Sequence, residues 1–222
     1  MHQANQLKHG DATITLYYDE NPESPRTSWD NLGKMYCKHR HYRLGDEEIA
    51  DDYDSWEDVV AAMKDEHQAM VVLPLYLHDH GALSMSTGAF SDPWDSGQVG
   101  WICDTAEGRE LLGFDLGKEL AGAEEGAEAA IATYEDFLDR LGNMLRSEVG
   151  VYDQYLRGDI YGYIVTDDDG EEHDSCWGFY GEEDALEAAR EQADWVNAHL
   201  RKLRIQAFVE EVEASATLAS AP

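Results

Sequence analysis

The chain has 222 residues, of which 43% are hydrophobic, and 47 acidic side chains against 16 basic ones give a formal net charge of −31. This length can bury one good core or two small ones, and the hydrophobic share excludes wholesale disorder. The charge excludes direct binding to nucleic acid and to anionic membranes, because both repel it. We therefore expect either a cationic partner or a surface whose charge serves solubility.

The sequence indicates neither export nor a membrane anchor. The first ten residues contain no apolar stretch, and no apolar run is long enough to cross a bilayer. The three cysteines, Cys37, Cys103 and Cys176, are odd in number and form no CxxC pair. We expect a cytoplasmic protein with three free, buried thiols.

Local patterns predict the elements of the first half in chain order. They are a loose leader over 1–10, strands over 12–18 and 35–42, and a helix over 56–66. Trp29 is expected to anchor an ordered loop. Ser55 with Asp58 forms a capping-box pattern at the start of the helix. The second strand also holds the densest basic cluster, Lys34 to Arg43.

The central stretch predicts a hairpin and a third strand. Strands over 70–77 and 82–87 are joined by the corner His78-Asp79-His80-Gly81, and a turn-rich loop over 91–97 leads to a strand over 98–103.

The second half predicts two helices and a second hairpin. A stripe from Ile131 to Val149 at intervals of three and four indicates a long helix over about 124–156. Strands over 160–166 and 175–180 flank an acidic tip, and a C-terminal helix covers about 182–204. We expect a disordered tail over 206–222.

The runs of strands and helices predict the α+β class, with an antiparallel or mixed sheet packed against helices in a single domain over 1–205.

The histidine corner suggests a metal site or an acid–base site. His78 and His80, two residues apart on a strand, point to the same side and could share a metal, with His39, His41 or Asp95 as a third ligand. One histidine could instead act as a base held by Asp79. A polar hairpin turn explains the same residues, and we favour it. We expect no metal or other cofactor.

Two further segments have a functional and a structural interpretation. Trp94 could stack on a base or sugar beside Asp95, but as a large apolar side chain it more often fills a core. Cys176 could be a nucleophile with His173 as its base, but a cysteine among aromatic strand residues is more often buried.

Several segments together resemble a family of small bacteriophage and mobile-element proteins without an established activity. They are PESPRTSWDNLGKMYCKHRHYRLGD (22–46), LPLYLHDHGALSMST (73–87), PWDSGQVGWI (93–102), VYDQYLRGDIYGY (151–163) and DSCWGFYG (174–181). The spread of these segments implies one shared fold. The resemblance implies a setting in the cytoplasm of a host cell, where small acidic inhibitors of defence nucleases act.

The charge and this setting favour a non-enzymatic inhibitor that mimics nucleic acid and binds a basic surface, such as that of a host nuclease or defence complex. The predicted contact residues are Asp51, Asp52, Asp54, Asp58, Asp167, Asp168, Asp169, Glu171, Glu172, Glu182, Glu183 and Asp184. One alternative is an enzyme that uses His78, Asp79, His80 and Asp95. The other is an acidic surface of the kind found in halophiles, which serves solubility only.

Overall fold

A computed structural model describes residues 1–50 and 53–219 of the chain, with side chains described up to residue 216. The chain divides into two compact units, each with its own sheet: unit 1 comprises Met1–Pro22 and Gly158–Pro222, and unit 2 comprises Glu23–Arg157. The predicted α+β class is confirmed. The strands of unit 1 come from both ends of the chain, and the stretch between them has a sheet and a core of its own, while the single domain over 1–205 stays a prediction.

The strands are β1 (Gln3–His9), β2 (Ala12–Tyr18), β3 (Gly33–Cys37), β4 (Glu47–Glu48), β5 (Val72–Asp79), β6 (Leu83–Ser86), β7 (Ser96–Asp104), β8 (Ile160–Thr166) and β9 (Glu172–Tyr180). The helices are α1 (Pro25–Ser28), α2 (Trp56–His67), α3 (Ala106–Leu111), α4 (Leu116–Gly122), α5 (Ala127–Arg157) and α6 (Glu182–Ala219).

Unit 1 is an antiparallel sheet, in the order β1-β2-β8-β9, with α6 packed on one face. Ala185, Ala189 and Ala193 are fully buried against the sheet, since their small side chains let the helix approach closely. The predicted leader over 1–10 is instead mostly strand β1. It pairs with β2 through a turn at Gly10, whose φ of 65° suits glycine.

Helix α6 continues to Ala219, well past the predicted end at residue 204. The prediction of a disordered tail over 206–222 is therefore wrong for the described residues of that range, which are helical up to Ala219. The prediction followed the core-facing stripe, which ends at Leu200. Beyond it the side chains up to residue 216 are exposed, and the segment is rich in Ala and Glu, which favour helix without packing.

Unit 2 is a mixed five-stranded sheet, in the order β4-β3-β7-β5-β6, with α5 on one face and α2 on the other. The predicted hairpin and third strand are confirmed as β5, β6 and β7. Phe137, Leu141 and Leu145 of the predicted stripe are fully buried. Ile131 and Tyr134 are exposed by 57% and 42%, because the burial of α5 begins only at Phe137.

A buried guanidinium group holds unit 2 together. The Arg26 side chain, 3% exposed, forms ion pairs with Asp46 at 2.6 Å and Glu148 at 2.9 Å. It also donates to the Gly33 carbonyl oxygen at 2.7 Å. Glu148 in turn accepts from the backbone N–H of Leu32 at 2.6 Å. This network joins the loop before β3, the segment after it and helix α5.

All three cysteines are free, as predicted, but only two are buried. Cys37 and Cys103 face the cores on the two sides of the sheet of unit 2, and burial raises the pKa of each thiol to about 12. Cys176 is exposed on β9, which corrects the prediction that it is a core residue. An edge strand pairs on one side only, so its side chains are less covered.

These burials predict a two-step thiol titration. In the folded protein a thiol reagent should modify Cys176 quickly, and Cys37 and Cys103 only after denaturation, because thiols with a pKa near 12 are almost wholly protonated at pH 8. Without reductant, Ellman's reagent should report one thiol in buffer and three in denaturant. Cys176→Ser should remove the fast reaction. A second fast thiol, or fewer than three in total, would contradict this.

Arg26→Met should strongly destabilise the protein, by about 3–5 kcal/mol, since it leaves two largely buried carboxylates without their cation. Arg140→Met is the matched control, because Arg140 forms ion pairs with Glu119 and Asp136 at the surface, and its loss should cost less than about 1 kcal/mol. Urea unfolding curves measure both. Equal losses would show that the buried network does not stabilise unit 2.

Candidate functional site

The predicted acidic contact residues fall into three separate groups, and Asp51 and Asp52 lie outside the described residues. Asp54 and Asp58 stand at the start of α2, Asp167 to Glu172 form the tip between β8 and β9, and Glu182 to Asp184 open α6. The second and third groups lie at opposite ends of β9. Its nine residues span roughly 30 Å, so these two groups do not form one patch.

Much of the hairpin tip is engaged within unit 1. The Asp167 carboxylate accepts from the backbone N–H groups of Asp169 and Glu171 at 2.9 Å each, and it bonds to His173 Nε2 at 2.9 Å. The bond to His173 is the main cause that lowers the pKa of Asp167. Asp168 forms an ion pair with Lys8. Asp167 therefore shapes the turn rather than presenting a free charge.

One cluster in the described residues has the composition of a metal site. Potential ligand atoms of Asp167, Glu171 and His173 lie within 4.8 Å of one another. The imidazole of His173 bonds to Asp167, whereas Cys176 Sγ donates to the Trp177 carbonyl oxygen at 3.9 Å, so within the described part of the chain no hydrogen bond joins this thiol to the base that the sequence suggested.

Glu182, Glu183 and Asp184 occupy the first turn of α6, where negative side chains complement the helix dipole. Glu182 also accepts from Asn5 Nδ2 at 2.8 Å. These three acids therefore stabilise the start of α6 in unit 1, and their positions need no partner to explain them.

Helix α2 has a different surface. Ser55 accepts from the Asp58 N–H at 3.2 Å and confirms the predicted cap, while Val59 and Met63 are buried against the sheet. Beside the helix lies a cleft of about 440 Å³, here called the α2 cleft. It is lined by Trp56, Glu57, Val60, Ala61, Lys64 and Trp101. Its lining is predominantly apolar, and its two charged members are Glu57 and Lys64.

Two indoles form the floor of the α2 cleft. The rings of Trp56 and Trp101 meet edge to face at 6.4 Å, and Trp56 is 37% exposed. The Trp101 Nε1 atom is buried without a hydrogen-bond partner among the described residues. A buried donor left unpaired costs about 1–3 kcal/mol.

A second cleft, of about 470 Å³, lies at the other end of β7 and brings together three segments that are far apart in sequence. We call it the Trp94 cleft. It is lined by Lys38, His39 and Arg40 after β3, Leu77 and Asp79 of β5, Trp94 and Asp95 before β7, and Ser96 to Val99 of β7. The predicted strand over 35–42 ends at Cys37, which places its basic residues in a loop at this cleft.

Trp94 is 92% exposed, which corrects the prediction that it fills the core. Asp92 caps its turn by accepting from the Trp94 N–H at 3.0 Å, and this turn directs the indole outwards. Trp29 is half exposed as well and is not a buried anchor.

The histidine corner contains a hydrogen-bonded pair rather than a group of three metal ligands. His80 Nδ1 lies 2.7 Å from Asp95 Oδ2, so Asp95 and not Asp79 holds this ring. His78 packs on Phe90 with ring centroids 5.5 Å apart. In the described ranges, 1–50 and 53–219, no third ligand joins His78 and His80. His80 with Asp95 has the geometry of an acid–base pair, but its ring is largely exposed.

His39 is held as a neutral donor at the Trp94 cleft. Its Nδ1 atom accepts from the backbone N–H groups of His41 and Tyr42 at 3.3 Å each, and its ring stacks on Tyr42 at 5.1 Å. Burial is the largest cause that lowers the pKa of His39, the nearby His41 adds to it, and Asp79 opposes it. The neutral ring therefore carries its proton on Nε2.

Comparison with protein-family models, curated proteins and solved structures finds no significant match to this chain. Across the described residues, none of the helices has the length and apolar character needed to cross a membrane.

The environment of His39 predicts its titration. Its pKa should lie below the ordinary value of 6.5, and the neutral ring should be the Nε2–H tautomer, as measured by ¹⁵N and ¹³C NMR of the imidazole. Asp79→Asn should lower this pKa further, since the Asp79 charge favours the protonated ring. Because the unfolded chain then binds the proton more tightly, the contribution of His39 to stability is lost as the pH falls below about 6.5. An Nδ1–H tautomer would contradict this assignment.

Proposed function

We propose that the protein is a non-enzymatic binding protein that docks a basic protein surface, of the kind that ordinarily faces nucleic acid, on helix α2 of unit 2. The observation that carries the proposal is the α2 cleft, where an apolar floor of two indoles is bordered by the exposed carboxylate of Glu57. Charge alone does not define a binding site. A partly exposed Trp pair can anchor a side chain of the partner, and a charge beside the pair can orient that side chain.

Carboxylates on α2, and one just before it, are available to a partner. Asp54, Glu57 and Asp65 are exposed, and within the described ranges none of them forms an ion pair. Glu57 lies at the α2 cleft itself, one residue from Trp56. An arginine of the partner can stack its guanidinium group on an indole face and pair with Glu57.

An entering partner would also gain from the unpaired donor of Trp101. Nε1 is covered in the unbound protein, so a partner carbonyl oxygen reaches it only when the surrounding side chains move, and it then satisfies a group that costs free energy in the unbound protein. The preferred partner segment therefore combines a basic side chain with an exposed backbone or side-chain acceptor.

The overall charge supplies long-range attraction rather than a specific site. Unit 1 has 19 acidic and 5 basic side chains and unit 2 has 28 and 11, which give net charges of −14 and −17. An even distribution of this kind also suits solubility, and it is the α2 cleft that favours a docking function. Such binding is fast at low salt and weakens as salt screens exposed charges over about 10 Å.

The proposal predicts that two α2 variants lose affinity for a basic probe. The probe is a fluorescent nine-residue peptide containing three arginines and two leucines, with fluorescence anisotropy at about 0.05 M salt as the readout. Trp56→Ala should weaken binding about tenfold, and the triple change Asp54→Asn, Glu57→Gln, Asp58→Asn by at least as much.

The matched control has the same change of charge in unit 1, with Glu182→Gln, Glu183→Gln and Asp184→Asn, and it should lose less than threefold. If the two triple variants weaken binding equally, the charge acts without a site and the solubility interpretation stands. If instead His78→Ala abolishes a cellular activity that the α2 variants retain, the enzyme alternative replaces the proposal.

A further inference from the structure

We propose that the Trp94 cleft is a binding site for a mononucleotide, independent of the α2 surface. The cleft places a guanidinium group, a fixed imidazole donor, an exposed indole and two carboxylates around one cavity of about 470 Å³. Cavities of this size hold small ligands. Each of these groups matches one part of a nucleoside monophosphate.

Arg40 and His39 are the groups that would bind the phosphate. Arg40 is exposed, and it forms no ion pair within ranges 1–50 and 53–219, although the chain carries three times as many acids as bases. A guanidinium group binds phosphate oxygens through two parallel hydrogen bonds. His39 adds a second donor from Nε2, because its Nδ1 atom is occupied by two backbone N–H groups.

Trp94 would bind the base. The indole is 92% exposed, which leaves most of its apolar surface in water, and it stands on a turn fixed by Asp92. An exposed indole can stack on any nucleobase, because every base has a flat aromatic face. Stacking of one base strengthens binding by about tenfold.

Asp79 and Asp95 are the acceptors left for hydroxyl and amino groups. Asp95 bonds to His80 at 2.7 Å, and its backbone carbonyl accepts from the Asp79 N–H at 2.8 Å, so the two residues hold one another in place. Two carboxylates beside the basic groups disfavour a simple polyanion. They favour a ligand that has sugar hydroxyls or an exocyclic amine beside its phosphate.

The net charge of −31 favours a ligand with few phosphate groups over one with many. A monophosphate gains from Arg40 and His39 at short range and meets less repulsion from the rest of the protein than a triphosphate does, because each additional phosphate adds to that repulsion. The expected order of affinity is therefore AMP above ATP, and ATP above an oligonucleotide.

The test is a titration of ¹⁵N-labelled protein with AMP in a phosphate-free buffer. AMP should shift the amide signals of Ser96, Gly97 and Gln98 with a Kd below about 1 mM, and adenosine and ribose 5-phosphate should each bind at least fivefold more weakly. Trp94→Ala and Arg40→Gln should each weaken AMP binding about tenfold. Urea unfolding of each variant confirms that it is folded.

Two matched variants complete the experiment. Trp195→Ala removes another exposed indole, in unit 1, and Arg43→Gln removes the same charge from the same loop outside the Trp94 cleft; both should leave AMP affinity within twofold. The proposal is overturned if 10 mM AMP shifts no amide at the cleft or if the matched variants weaken binding equally. It also fails if ribose 5-phosphate binds as well as AMP, or if an oligonucleotide binds more tightly.

Discussion

The structure of unit 2 depends on the burial of one cation among carboxylates. Arg26 neutralises Asp46 and Glu148 in a region where an unpaired charge would cost several kcal/mol. Burial is the largest cause acting on the pKa of Glu148 and raises it, while Arg26 opposes the rise. The chain has 31 more acids than bases, so cations are scarce. One of them, Arg26, is used inside the protein rather than at its surface.

The same network positions the loop that supplies the basic residues of the Trp94 cleft. Asp46 accepts from the Met35 N–H at 2.7 Å, and the Gly45 N–H donates to Tyr152 Oη at 3.0 Å. The end of the loop is therefore fixed to β3 on one side and to α5 on the other. Arg40 and His39 are carried on a short connection between two fixed points, which limits the entropy lost when a ligand binds.

The sequence predicted the parts of the fold that depend on local patterns. The α2 cap follows from Ser55 and Asp58, and the buried part of α5 from the spacing of Phe137, Leu141 and Leu145. Burial that depends on distant pairing was not predictable. Trp94 and Cys176 have the composition of core residues, yet one stands on an outward turn and the other on an edge strand.

The composition of the candidate sites was likewise only partly visible in the sequence. The sequence indicated His78, His80 and Asp95 as candidates. It could not show that His80 bonds to Asp95, because that pairing depends on the register between β5 and β7, which shifts at Leu75 and Tyr76. The α2 cleft was missed, because Trp101 reads as an ordinary strand residue. The spacing of Trp56 on the helix and Trp101 on a strand gives no signal before the two elements pack.

Strand β7 contributes to both clefts, and its central glycine makes this arrangement possible. A Cβ atom at Gly100 would lie 1.9 Å from the Tyr36 carbonyl oxygen, so only glycine lets β3 approach here. On one side of Gly100, Trp101 forms the floor of the α2 cleft, and on the other, Ser96 to Val99 line the Trp94 cleft. Both surfaces thus rest on the central strand of a five-stranded sheet, and a rigid strand fixes their geometry better than loops alone would.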